Sequence, residues 1–284
     1  MRIAIVGAGV AGLISAWRLA EAGHSVTVYE QATIGQGASA KALGLLMPFH
    51  PKVSGLLAKV QRASIRQWSN LAPRMSEASG TPMEEFYRTW PAHPEHDPRG
   101  MCAQLRIPHI LPVLAAAARH YGATIYEETP IADIHQLPHA ADLTLLAAGI
   151  GNAPHVAVEA PSAQAIRVQP VSPLAAPVYA DSLHIVPDWD GSITIGSHDF
   201  GKTVTEPNRG MVNDLLHRAK TAVPTLEGAK LITTWVSPRP TIHPLLPLLR
   251  PVEGSVTMWA VTGLGKLGYC LAPAVSDAVV ELVA

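Results

Sequence analysis

The sequence predicts an α/β protein, a Rossmann-type dinucleotide-binding domain joined to a smaller mixed, mainly antiparallel β-sheet domain. Three observations carry this. A strand, a glycine turn, a helix and a second strand ending in an acid succeed one another over residues 2–30. Short alternating runs bounded by turns occupy 165–235, the texture of antiparallel strands. Strand, glycine turn and helix then return over 256–283, so the far end of the chain completes the first domain. The expected division is 1–50, 101–160 and 240–284 for the dinucleotide-binding domain, and 51–100 with 161–239 for the other.

RIAIV at 2–6 is apolar and β-branched, as a strand buried on both faces of a parallel sheet requires. Leu13, Ala16, Leu19 and Ala20 recur at helical spacing and stop at Gly23, after which SVTVY at 25–29 returns to strand. Residues 35–51 are rich in glycine and alanine without a period, the mark of a loop crossing a ligand. Leu57, Val60, Ile65, Trp68 and Leu71 form the apolar side of a helix within 53–78. The stretch 80–100 is rich in proline and histidine and reads as a solvated loop, because His93, His96 and Asp97 lack the further ligands that a metal needs. A helix over 107–121 starts near Pro108 and ends at Gly122. Strands follow at 123–127 and near Ile131, then LTLLAAG at 143–149, a buried strand whose carboxyl end meets small residues. The second domain takes strands at 166–169, 183–187, 192–196 and 230–237 and a helix at 211–223. Strand 256–261, glycine turn 262–268 and a helix at 271–283 close the chain.

Composition narrows the partners. With 48% hydrophobic and 15% charged residues and a formal charge of −1, nothing attracts nucleic acid or an anionic membrane, so a small, roughly neutral partner is expected. Cys102 and Cys270 stand far apart with no metal-ligand spacing, which indicates a reducing, cytoplasmic setting and no structural zinc. The first twenty residues are apolar, but the glycines at 7, 9 and 12 are foreign to a signal peptide. No run of 18 apolar residues exists to span a membrane, since the candidate at 110–118 is interrupted by Pro112.

In GAGVAG, Gly7 permits a sharp turn, Gly9 lets a pyrophosphate approach the backbone, and Gly12 lets the helix pack on the strand. Val10 and Ala11 open that helix, whose dipole and unpaired amides favour an anion. Glu30, 18 residues after Gly12, is placed to bind ribose hydroxyls, and its charge disfavours a 2′-phosphate. Gln31 follows it. A nicotinamide enzyme would continue with more βα units, whereas this sheet is completed late, which points to FAD. The second glycine cluster, Gly263, Gly265 and Gly268, opens a helix that can stabilise negative charge at the edge of a reduced flavin.

In their order and spacing, GAGVAG, GASAKALGLLMP, LTLLAAG, LHIVPDWDGSITIGS, WVSPRPTIHPLLP and VTGLGKLGYCLAP resemble the D-amino acid oxidase and glycine oxidase family of FAD enzymes over nearly the whole chain. The resemblance implies that Ser39, Ala40 and Lys41 contact flavin and that Leu45, Leu46 and Met47 lie by its ring. It places the backbone of Ile131 at the adenine, Ala148 and Gly149 along the ADP moiety, and Gly265, Lys266, Leu267 and Gly268 at the flavin edge. Arg239 falls where the family binds a substrate carboxylate; from the residues alone it reads equally as a surface arginine. His184 stands where the family often has a tyrosine, and either donates to the same carboxylate or ends a strand. His50 directly follows the flavin loop and ranks ahead of His198 and His243 as a pocket histidine.

The implied reaction is oxidation of the C–N bond of an amino acid or related amine. Hydride passes from the α-carbon to flavin N5, giving an imine, and oxygen or another acceptor takes the electrons. No strong protein base is required, consistent with the lack of an obvious acid/base pair. The chain is shorter than family members typically are, which implies a reduced lid and an open pocket, a larger substrate, or a second subunit of the same or another kind. Two other classes share the fold. A flavin hydroxylase would carry a late Gly-Asp motif, which the turn at Gly263 lacks. A flavoprotein subunit that only transfers electrons would not be bleached by any amine.

Overall fold

A computed structural model describes residues 1–48, 53–91, 101–151, 157–246 and 248–284. The β-branched run at the start forms β1 (Arg2–Val6), with Ile3, Ala4 and Ile5 buried. Helix α1 (Val10–Glu21) ends where Gly23 turns at φ 86°, and β2 (Ser25–Tyr29) lies parallel to β1 with Arg2 opposite Ser25. Next come β3 (Leu45–Leu46), α2 (Gly55–Ser79), β4 (Tyr87–Pro91), β5 (Met101–Leu105), α3 (Ile110–His120), β6 (Thr124–Tyr126) and β7 (Leu143–Leu146). The antiparallel region holds β8 (Ser162–Gln169), β9 (Val178–Ala180), β10 (Leu183–Pro187), β11 (Ile193–Asp199), α4 (Arg209–Ala222) and β12 (Lys230–Pro238). The chain closes with β13 (Arg250–Pro251), β14 (Met258–Ala260) and α5 (Gly268–Val283).

The main sheet has the order β13-β14-β7-β1-β2-β6, parallel except for β13. As expected from the returning α/β texture, β14 lies parallel to β7, so the chain's late segment completes the sheet that its first strand begins. Helices α1, α2, α3 and α5 share one core in which Trp17 and Trp68 are fully buried. Grouping 51–100 with the antiparallel domain is therefore at odds with the packing of α2, whose Ile65, Trp68, Leu71 and Met75 sit in this first core.

Helix α5 begins at Gly268, three residues before the expected start, and continues through Pro273. Proline has no N–H to give the carbonyl four residues back. That carbonyl, on Tyr269, instead accepts a 3.0 Å hydrogen bond from Trp68 Nε1, and the next amide, Ala274, donates to Ser64 Oγ at 3.0 Å. Two side chains of α2 thus satisfy the groups that the proline disrupts.

The second sheet, β12-β8-β11-β10-β9, is antiparallel, and α4 covers it with Val212, Leu215 and Ala219 in a separate core. A third sheet, β3-β5-β4, also forms, its β4 lying in the stretch expected to be a solvated loop, with Thr89 opposite Ala103 and Trp90 opposite Cys102. It is fastened to the end of β10: Arg88 and Gln104 Nε2 both donate to the Pro187 carbonyl, and the Arg88 guanidinium lies 3.9 Å from the Trp189 ring centroid. The expected strand near Ile131 does not form. Glu128 takes φ 52°, its amide and that of Thr129 turn back to the carbonyls of Ala32 and Glu30, and Pro130 has no N–H to continue a ladder.

Candidate functional site

At the end of β1 the backbone must fold back sharply. Gly7 does this at φ 106°, where a side chain would put Cβ 2.5 Å from the Ala147 carbonyl oxygen. At Gly12 a Cβ would come 2.0 Å from the Gly7 carbonyl oxygen, so this residue sets how closely α1 seats on the turn and lies behind the cavity wall rather than on it. Gly9 caps α1 with no side chain, and the first turn carries no acid, so its amides face outward at the positive end of the helix dipole. The Val10 amide donates to Ser39 Oγ at 3.1 Å. Glu30 accepts from the amides of Ala8 at 2.7 Å and Ala32 at 3.1 Å, which fixes its carboxylate at the mouth of the same turn.

The loop expected to cross a ligand forms a short 3-10 arch, Ala38–Lys41, held from three elements. Ser39 Oγ meets α1, the Ser39 carbonyl accepts from Tyr269 Oη at 3.0 Å, and the Lys41 carbonyl accepts from Trp235 Nε1 at 3.0 Å. Gly44 then passes at φ 75° so close to β5 that a Cβ would lie 2.0 Å from the Leu105 carbonyl oxygen. Strand alternation splits the pair that follows: Leu45 lines the cavity while Leu46 is fully buried in the core. Gln61 of α2, also buried, donates to the Met47 carbonyl at 2.9 Å and forms part of the wall.

The opposite wall comes from the late chain. Thr262 Oγ1 donates to the Gly149 carbonyl at 2.8 Å, and Gly265 N donates to the Pro240 carbonyl at 2.6 Å, which draws 148–149, 238–240 and 261–268 together. Gly263, at φ 77°, has no room for a Cβ, which would lie 2.3 Å from Ile242 Cγ1. Gly265, Lys266, Leu267 and Gly268 line the cavity at the start of α5.

Beyond this turn the second sheet contributes the polar end. Arg239, whose side chain is 17% exposed, donates from Nη2 to Ser197 Oγ at 2.6 Å, and its Nη1 lies 3.4 Å from Asp199 Oδ2. His184 of β10 lies opposite Tyr179 of β9, ring centroids 4.9 Å apart, and both line the cavity. Burial first, then the positive charges of Arg239 and Lys266, push the His184 imidazole down to about 4, although it donates to the Gly196 carbonyl. It is neutral at pH 7.

One cavity of about 860 Å³ connects these parts from Glu30 to Arg239. Its residues fit FAD. The bare glycine turn and outward amides suit a pyrophosphate, Glu30 suits a ribose, and the space between Leu45 and the 265–268 turn suits a flat ring. Of the residues expected from sequence, Gly7, Gly9, Val10, Ala11, Glu30, Gln31, Ser39, Lys41, Ala148, Gly149, Gly263, His184 and Arg239 meet here, with the 265–268 turn. Gly12, Ala40, Leu46 and Ile131 lie outside the lining. His243 is exposed away from it, His50 and the 93–97 stretch lie outside the described residues, and of His198 only the backbone is described. Among the described residues no His/Cys/Asp/Glu cluster could hold a metal, and no helix is long and apolar enough to cross a membrane. Gln61, Trp235, Tyr269, Ser197 and Asp199 were not singled out from the sequence, because each reaches the site through a partner distant along the chain or through strand pairing.

The family model described as DAO, FAD dependent oxidoreductase, matches residues 2–101 and 96–282. The glycine oxidase of Geobacillus kaustophilus is 26% identical over 99% of this chain and 92% of its own length; the alignment runs to 347 positions, so it opens gaps in this chain. A solved glycine oxidase structure from the same organism superposes with a TM-score of 0.82 at 25% identity, covering 99% of this chain and 94% of the other. The L-proline dehydrogenase structure from P. horikoshii, at 17% identity and a TM-score of 0.80 over 100% of this chain and 93% of that one, shares the fold.

Proposed function

The chain belongs to the DAO family of FAD-dependent oxidoreductases, and from that premise we propose that it oxidises the C–N bond of a small α-amino acid or N-substituted relative. The observation that carries this is Arg239, largely buried yet lining the same cavity as the glycine turn and Glu30. A guanidinium there can take a carboxylate through two parallel N–H donors and so fix the α-carbon. Bound FAD supplies the hydride acceptor. The protein's part is to orient and to exclude water: Ser197 anchors the guanidinium, and Pro238 and Pro240 stiffen the backbone around it. Neutral His184 offers hydrogen bonding without adding a third charge beside Arg239 and Lys266. Glycine oxidases among the relatives support an amino acid as substrate. A cytoplasmic setting belongs to this reading, supported by two thiols outside any disulfide, and the electrons that bound FAD takes up would pass to oxygen or a second acceptor.

The test is anaerobic mixing of the purified holoenzyme with glycine, sarcosine and a panel of D- and L-amino acids, following flavin absorbance. At least one should bleach it, and Arg239→Ala should slow bleaching by that compound at least a hundredfold, through loss of a charge-assisted bidentate contact worth about 3 kcal/mol. An Arg239→Ala protein that bleaches as fast as wild type removes the carboxylate clamp.

A further inference from the structure

We infer that Asp199 recognises the amino group of the substrate, and that Arg239 and Asp199 together form a complement to an α-amino acid zwitterion. This rests on the reading of Arg239 as the carboxylate clamp. The two side chains place opposite charges side by side on the cavity wall, Nη1 to Oδ2 3.4 Å. In an α-amino acid the carboxylate and the amine are borne on one carbon, within a hydrogen bond's length of each other, and the wall repeats that spacing with the signs reversed.

Two features separate this arrangement from a simple counter-ion. The Arg239–Ser197 contact is 2.6 Å, whereas the Arg239–Asp199 contact is longer than the ~2.7–2.9 Å of a formed charge-assisted hydrogen bond. Ser197 therefore anchors the guanidinium, and Asp199 stands beside it rather than locked onto it. The second feature is burial: the Arg239 side chain is 17% exposed and that of Asp199 56%. A carboxylate present only to neutralise a desolvated arginine would be desolvated with it. Asp199 is instead held by its own loop, where Oδ1 accepts from the Gly201 amide at 3.1 Å, while Oδ2 is the oxygen 3.4 Å from Arg239 Nη1. Both groups have capacity in hand, since Ser197 and Asp199 meet two of the five guanidinium N–H donors among the described residues, and a carboxylate offers about four acceptor sites. The contact outlasts loss of the ammonium proton, because a neutral amine still donates an N–H to the carboxylate. Asp199 thereby sorts amines from the hydroxy and simple carboxylic acids that Arg239 alone would accept.

The test compares two ligands in the FAD-loaded enzyme at pH 8, glycine and acetate, the second lacking the amine. Each is titrated by its perturbation or bleaching of the flavin spectrum. In Asp199→Asn the half-saturating glycine concentration should rise about tenfold, the loss of one charge-assisted contact. Acetate should bind at least threefold more tightly, because its carboxylate no longer meets the negative charge of Asp199 beside Arg239. Shifts of both ligands in one direction by similar factors make Asp199 only a counter-ion of Arg239, and unchanged glycine binding removes it from the site; either result overturns the inference. Arg239→Met tells the two readings apart: it should abolish the response to both ligands. If it does not, or if wild type responds to neither, the clamp itself fails and takes the inference with it.

Discussion

His184 shows how far surroundings set the chemistry of a single side chain. In the unfolded chain its imidazole titrates near 6.5, and in the fold at about 4. Between those values the unfolded state binds the proton and the folded state does not, so stability falls as pH drops from 6.5 toward 4 and levels off below. The apoprotein should lose on the order of 2 kcal/mol between pH 7 and 4.5 through this residue. In urea unfolding at the two pH values, His184→Gln should show a smaller drop than wild type by about that amount. Its place in a strand was legible, whereas its neutrality was not, because the burial that chiefly causes it and the charges of Arg239 and Lys266 come from remote parts of the chain. Conversely, Gly7, Gly9, Gly12 and Glu30 could be read directly, since strand, turn and helix there are consecutive and their spacing alone fixes which backbone approaches which. Gly12 packs as its spacing predicts: a Cβ there would meet the Gly7 carbonyl, so its absence seats α1 on the turn.

At the scale of elements, α5 depends on α2 in a way that neither segment discloses alone. Pro273 leaves the Tyr269 carbonyl without its helical donor, and Trp68 supplies one from α2. Trp68→Phe keeps an aromatic ring in the core but strands that carbonyl and opens a cavity. A loss of about 2–4 kcal/mol in urea unfolding is expected, with the larger part from the unpaired carbonyl. Tyr269 also carries the hydroxyl that holds the Ser39 carbonyl, so the same loss should loosen the arch and weaken FAD retention, measurable by flavin fluorescence on dilution. Hydrophobic periodicity located α2 and the body of α5, but the glycine cluster, read as a turn through Gly268, placed the start of α5 three residues late. The strand pair β4 and β5 was not legible because Tyr87–Pro91, YRTWP, lacks the alternation of a half-buried strand and lies within the proline- and histidine-rich stretch, while its partner lies beyond that stretch.

On the scale of the molecule, the main and second sheets meet over one cavity, and the third sheet is fastened to the second by Arg88, Gln104 and Trp189. The class of fold was legible because each sheet leaves its own texture in the sequence. The joint was not, because it is made of single residues on separate strands. Strand β14 carries a further implication: it lies beside β7, more than a hundred residues earlier in the chain, and the turn after it supplies one wall of the cavity. Synthesis proceeds from the N-terminus, so the glycine turn and Glu30 emerge long before that wall exists. The complete site therefore exists only once β14 and the turn after it have been made, and until then β7 lacks its β14 neighbour. Ribosome-tethered chains with α5 still held back should leave FAD in solution, and the same chains after release should take it up, with the quenching of flavin fluorescence marking the moment.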